Sequence, residues 1–209
     1  MWWICLLGLP LAGFFLKRFL WGPGKGKVVY KGATTLVAVA VALFGAVCCG
    51  GAAWLGFVGV LLCFVADVWI HFSLIPGVLV FLSAHLCFIG WMLTEGGSFG
   101  WNLLLIPVGC ALLAVRYWRY LPKLKGTAFF LLIYVMILFS MASVALSFIW
   151  EVSETEKMFL IAGAACFVSS DLVLGDSIAR ERHSDFRDRL VMLLYEPAVF
   201  LLALGTFFL

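Results

Sequence analysis

Residues 52–72 read AAWLGFVGVLLCFVADVWIHF, an apolar stretch whose one formal charge is Asp67. About 20 mostly apolar residues are enough to cross a bilayer as an α-helix. Within such a helix Asp67 and His71 stand four positions apart and share one face. Working outward, apolar runs recur at about 1–16, 31–49, 75–94, 100–116, 127–149, 157–175 and 188–209. With 52–72 they predict an all-α, polytopic membrane protein of eight transmembrane helices, residues 1–209 forming one integral membrane domain. Turn signals separate the runs at Gly22-Pro23-Gly24, Gly50-Gly51, Pro76-Gly77 and Gly96-Gly97. The first run opens Met1-Trp2-Trp3 with no basic segment ahead of it and is followed by Lys17 and Arg18. It therefore reads as a retained span, not a cleaved signal peptide.

Composition agrees. Of 209 residues 65% are hydrophobic and 12% charged, whereas soluble domains carry about a quarter charged residues. Soluble enzyme classes are excluded. The net charge of +3 is too small to suggest nucleic acid as a partner. Seven cysteines, an odd number, all lie in apolar runs. They read as small buried hydrophobes rather than a disulfide framework or a zinc knuckle.

The basic residues set the orientation. Lys17, Arg18, Lys25, Lys27 and Lys31 cluster between the first two runs. Arg116, Arg119, Lys123 and Lys125 follow the fifth, and Arg180, Arg182, Arg187 and Arg189 follow the seventh. These are alternate connections, so thirteen of the 14 Lys and Arg residues fall on one side of an eight-span chain. The other side has Lys157 beside Glu95, Glu151, Glu154 and Glu156. Positive charge collects on the cytoplasmic side, which predicts both termini on the non-cytoplasmic side. The expected location is a bacterial cell membrane, or the endoplasmic reticulum membrane in a eukaryote.

Ionisable groups inside a span are costly and usually functional. Here they are Asp67, His71, His85, Asp171, Asp176, Glu196 and, opening the second run, Lys31. The topology brings Asp67, Asp171, Asp176 and Lys31 to the inner half of the bilayer. One carboxyl kept protonated and one ionised is the arrangement that general acid and general base work needs. Other chemistries fit less well. Only His71 and His85 lie in spans, so no three-His metal site is expected. Leu174-Gly175-Asp176 is similar to part of an intramembrane aspartyl protease signature, but Val173 replaces its first glycine. No GxSxG serine hydrolase motif and no Gly-rich phosphate loop occurs.

Several segments together resemble the YhhN-like lysoplasmalogenase family of eight-span membrane proteins. The strongest runs from Gly163 through Phe167, Ser169, Ser170 and Asp171 to Leu174. Phe64-Val65-Ala66-Asp67 and Ser83-Ala84-His85 resemble the family's Asp in span 3 and Ala-His in span 4. Lys31 with Thr34 and Thr35, Tyr134 with Met136, and Tyr195 are similar to further family segments. The likeness covers about residues 28–209. Gly32, Phe88 and Val199 depart from residues common in the family.

The resemblance implies hydrolysis of the vinyl ether bond of a lysoplasmalogen, giving a fatty aldehyde and glycerophospho-choline or -ethanolamine. Protonation of the vinyl ether's β-carbon makes an oxocarbenium ion, which water then traps. That chemistry suits an acid and a carboxylate and requires no metal or redox cofactor. Asp67 and Asp171 are the expected catalytic pair. Lys31, His85, Tyr134, Ser170 and Tyr195 are expected to orient the lipid or the acids, with the headgroup near Lys31. The expected partners are a lysophospholipid substrate and membrane lipid; the sequence neither requires nor forbids a homodimer. The competing class is a transporter or lipid-binding protein whose carboxylates relay protons. A transporter favours inverted repeats and broken helices. The echo between Cys63-Phe64-Val65-Ala66-Asp67 and Cys166-Phe167-Val168-Ser169-Ser170-Asp171 is instead a parallel one.

Overall fold

The computed structural model describes residues 27–120, 127–151, 155–180 and 184–207. Among them the chain forms seven α-helices and no strand. These are α1 (Lys27–Cys49), α2 (Ala53–Phe72), α3 (Leu74–Thr94), α4 (Leu105–Tyr117), α5 (Thr127–Ser147), α6 (Thr155–Ala179) and α7 (Asp185–Gly205). Short 3-10 turns, Trp101–Leu104 and Phe148–Glu151, precede α4 and follow α5. The helices coincide with the second to eighth expected spans. The expected span 1–16 and the Gly22-Pro23-Gly24 turn lie outside the described residues.

Two of the expected turns fall where glycine is required. Gly50 and Gly51 join α1 to α2 at φ of 70° and 48°, and Gly96 follows α3 at 93°. This left-handed region is open to glycine at little cost. Pro76-Gly77 is different. The break between α2 and α3 falls at Ser73, which is extended at φ −152°, and Pro76 sits in the first turn of α3. There its missing N–H removes no intrahelical bond. Gly77 serves packing instead: a Cβ on it would lie 2.7 Å from Ile70 Cα, so only glycine lets α2 and α3 approach this closely.

Packing makes a ring. α1 lies against α2, α2 against α3, α3 against α5, α5 against α6, α6 against α7, and α7 closes onto α1 and α2. Of the helices, α4 packs chiefly on α5, outside the ring. Small residues make the closure possible, as expected where lipid supplies no hydrophobic drive between helices. Ala38, Ala42 and Ala46 of α1 are fully buried, and Gly163 and Ala164 of α6 turn inward, Gly163 against Leu202 of α7. Phe167 fills the middle, touching Phe81, His85 and Phe88 of α3 and Tyr195 of α7.

The outside is as apolar as the inside. Large side chains such as Phe44, Phe72, Leu112, Val115 and Phe129 face outward, a surface no soluble monomer tolerates. Exposed tryptophans stand near helix ends: Trp54 and Trp69 on α2, Trp101 and Trp118 flanking α4, and Trp150 after α5. Tryptophan favours the bilayer interface. The chain is a membrane protein. Five described helices, α1, α2, α3, α5 and α6, are long and apolar enough to cross a membrane. The apolar helix containing α4 is shorter. α7 is long but opens with Asp185, Arg187, Asp188 and Arg189.

Candidate active site

Asp67 lies five residues before the end of α2 and Asp171 eight before the end of α6. The chain's alternation puts both helix ends at the end of the bundle where α1 and α7 begin. Both carboxyls point into the ring, but their surroundings differ.

Asp67 is held by three donors. Lys31 Nζ of α1 lies 2.6 Å from Oδ1. Thr35 Oγ1 donates to Oδ2 at 2.7 Å, and Tyr195 OH of α7 donates to the same oxygen at 2.9 Å. The Asp67 side chain is 1% exposed and that of Lys31 23%. Lys31 also lies 4.9 Å from the centre of the Tyr195 ring, close enough for a cation–π contact. A cation and two hydroxyls thus converge on one carboxyl group.

Asp171 has no such cation. Tyr134 OH of α5 donates to its Oδ2, and His85 Nε2 of α3 stands 3.8 Å from that oxygen. No lysine or arginine among the described residues forms an ion pair with Asp171. His85 is fully buried, and its Nδ1 is 2.6 Å from the Phe81 carbonyl oxygen. A carbonyl only accepts, so Nδ1 carries the hydrogen; in the neutral ring Nε2 then offers a lone pair toward Asp171. Nε2 has no hydrogen-bond partner. The His85 ring is fixed further by Tyr134 and Phe167, with ring centres 5.5 and 4.7 Å away.

The two clusters are neighbours. Phe167 packs on His85 of one and on Tyr195 of the other, and Asp67 and Lys31 both lie within electrostatic range of Asp171. Lys31, Asp67, His85, Tyr134, Asp171 and Tyr195, all singled out from sequence, thus line one interior. Ser170 is placed elsewhere: its hydroxyl donates to the Val191 carbonyl at 3.1 Å and ties α6 to α7. Lys31, expected near the headgroup, is committed to Asp67. His71 does not accompany Asp67 inward. The last turn of α2 leaves it exposed, edge-on to Phe72. Thr35 stands one helical turn after Lys31, and that spacing is the sequence signal that both reach the same acid.

This fold and interior define a helical membrane protein with two differently supported intramembrane carboxyl groups. A sequence profile of the YhhN family matches residues 26–206. The chain belongs to the YhhN family. Neither a curated protein nor a solved structure matches it.

Proposed function

We propose that the protein is a lysoplasmalogenase, hydrolysing the vinyl ether of a lysoplasmalogen with Asp171 as the proton donor and Asp67 as a fixed carboxylate. The observation that carries this reading is the unequal support of the two acids. Lys31 balances an ionised Asp67. A second anion in the same interior, facing the His85 lone pair with no cation on it, is costly, so Asp171 holds a proton. Family membership is consistent with a hydrolase of this kind.

The steps balance without a cofactor. Asp171 gives its proton to the alkenyl carbon remote from the ether oxygen, leaving an oxocarbenium ion beside two carboxylates. The negative potential of Asp67 and the newly ionised Asp171 stabilises that cation. Water adds to the carbon bearing oxygen, and its proton passes to Asp171. The hemiacetal then breaks its carbon–oxygen bond: the glycerol oxygen takes the proton from Asp171, the hemiacetal hydroxyl gives its own proton back to Asp171, and aldehyde and glycerophospho-alcohol leave. Tyr134 and His85 orient the acid; Thr35 and Tyr195 hold the fixed carboxylate.

Purified protein in detergent is expected to release aldehyde from a lysoplasmalogen at the same rate with and without a strong chelator. The saturated alkyl analogue is expected to bind but survive, because it has no double bond to protonate. Activity lost to the chelator and restored by zinc would sink the mechanism, and comparable cleavage of an acyl-ester analogue the substrate. The same reading takes the eight-span topology, with both termini non-cytoplasmic. Reporters fused at Leu209 and within residues 177–187 should then sit on opposite sides of the membrane; two cytoplasmic signals contradict that topology.

A further inference from the structure

Where α6 ends, Asp176 is surrounded by more cation than one carboxylate balances. Arg187 Nη1 lies 2.5 Å from its Oδ2, Arg180 Nε 2.9 Å from Oδ1, and Arg116 Nη2 3.9 Å from Oδ1. Arg187 Nη1 also reaches Ser177 Oγ at 3.5 Å, and Tyr117 OH donates to Asp176 Oδ1 at 2.5 Å. The Tyr117 ring lies 5.6 Å from the Arg116 guanidinium carbon and 5.8 Å from that of Arg180. Three guanidiniums from the end of α4, the end of α6 and the start of α7 thus converge on a single anion. Among the described residues these contacts set three positive charges against one negative. Each guanidinium presents five N–H donors in a plane, and among the described residues most donors of the cluster have no hydrogen-bond acceptor. Planar arginine forks suit phosphate oxygens. The cluster is reachable: the Arg116 side chain is 57% exposed and that of Arg187 27%.

Its depth is informative. Asp176 follows Asp171 by five residues of one helix, about 7.5 Å along the axis and toward the same basic end of the bundle. A glycerol backbone spans a comparable length between its ether oxygen and its phosphate. Lys31, another cation at this end, is tied to Asp67. We propose that Arg116, Arg180 and Arg187 form the phosphodiester subsite for the lipid, with Asp176 and Tyr117 holding the guanidiniums apart and in place. The proposal rests on the hydrolase reading above for its substrate class, and places the alkenyl carbon at Asp171 when the phosphate is at the arginines.

The test is binding rather than turnover. A saturated alkyl lysophospholipid and the alkylglycerol that lacks its phosphate are titrated into the full-length protein in detergent. The phosphate-bearing lipid is expected to bind roughly tenfold more tightly or better, the scale of one or two charge-assisted contacts. Arg187→Gln and, separately, Arg116→Gln should remove most of that difference while leaving alkylglycerol binding intact. Arg116 is the more exposed and more distant from Asp176, so its variant serves if Arg187→Gln does not fold. Equal affinity of the unmutated protein for the two lipids overturns the proposal. A variant that weakens both lipids alike also overturns it, as that marks a purely structural network. Inorganic phosphate bound as tightly as the lysophospholipid would make this a free-phosphate site and refute the lipid assignment. Since no bond is cleaved, intact binding with no aldehyde from the alkenyl lipid would refute the hydrolase reading alone.

Discussion

Asp171→Asn is expected to lower kcat for lysoplasmalogen cleavage by roughly two orders of magnitude or more, with little change in expression or thermal unfolding. The amide is nearly isosteric and still accepts the Tyr134 hydrogen bond that Asp171 Oδ2 receives. On the proposed mechanism it also adds no charge, since the acid it replaces is the protonated one. What it lacks is a transferable proton. Aldehyde release and an unfolding curve on the same preparation check the two halves. Near-normal turnover would remove Asp171 from the mechanism. A grossly unfolded variant would show that the carboxyl is structural.

Asp67→Asn is expected to behave differently, losing stability as well as activity. Its partner Lys31 lies 2.6 Å away and is only partly exposed, so removing the anion takes away the countercharge of a half-buried cation. Breaking a buried pair from one side costs on the order of 3 kcal/mol. The partial exposure of Lys31 keeps the loss from being larger. Replacing both partners by uncharged groups is often close to neutral. Lys31→Met in the Asp67→Asn background should therefore regain most of the lost thermal stability and none of the lost turnover. A single variant as stable as the parent would mean that the ion pair does not hold α1 to α2. Activity recovered in the double variant would mean that the carboxylate is not needed for chemistry.

The contrast between these two acids marks how far the sequence could be read. Asp67, His85, Asp171 and Tyr195 stand out because a polar group inside an apolar run has few reasons to be there. The helices were equally legible, since apolar length alone locates them. Partnerships were not. Lys31 at the mouth of a span looks like any positive-inside charge, and only the close packing of α1 on α2 and α7 turns it toward Asp67. Ser170 sits beside Asp171 in sequence, yet a helix turns about a quarter of a circle per residue, which points its hydroxyl at α7. Pro76-Gly77 read as a turn from residue type, whereas the close approach of Gly77 to Ile70 was the reason for the glycine. The arginines on Asp176 come from three separate helix ends, a convergence that no single motif spells out.

Cleavage in heavy water tests the central claim, that the bond is broken by protonation of the alkenyl carbon. The released aldehyde is trapped at once by reduction, before it exchanges, and its mass is read. A proton held on an acid in the site exchanges with solvent, so the account predicts one deuterium on the carbon next to the former carbonyl in every product molecule. Aldehyde carrying no deuterium at that carbon, or no aldehyde at all, would contradict it.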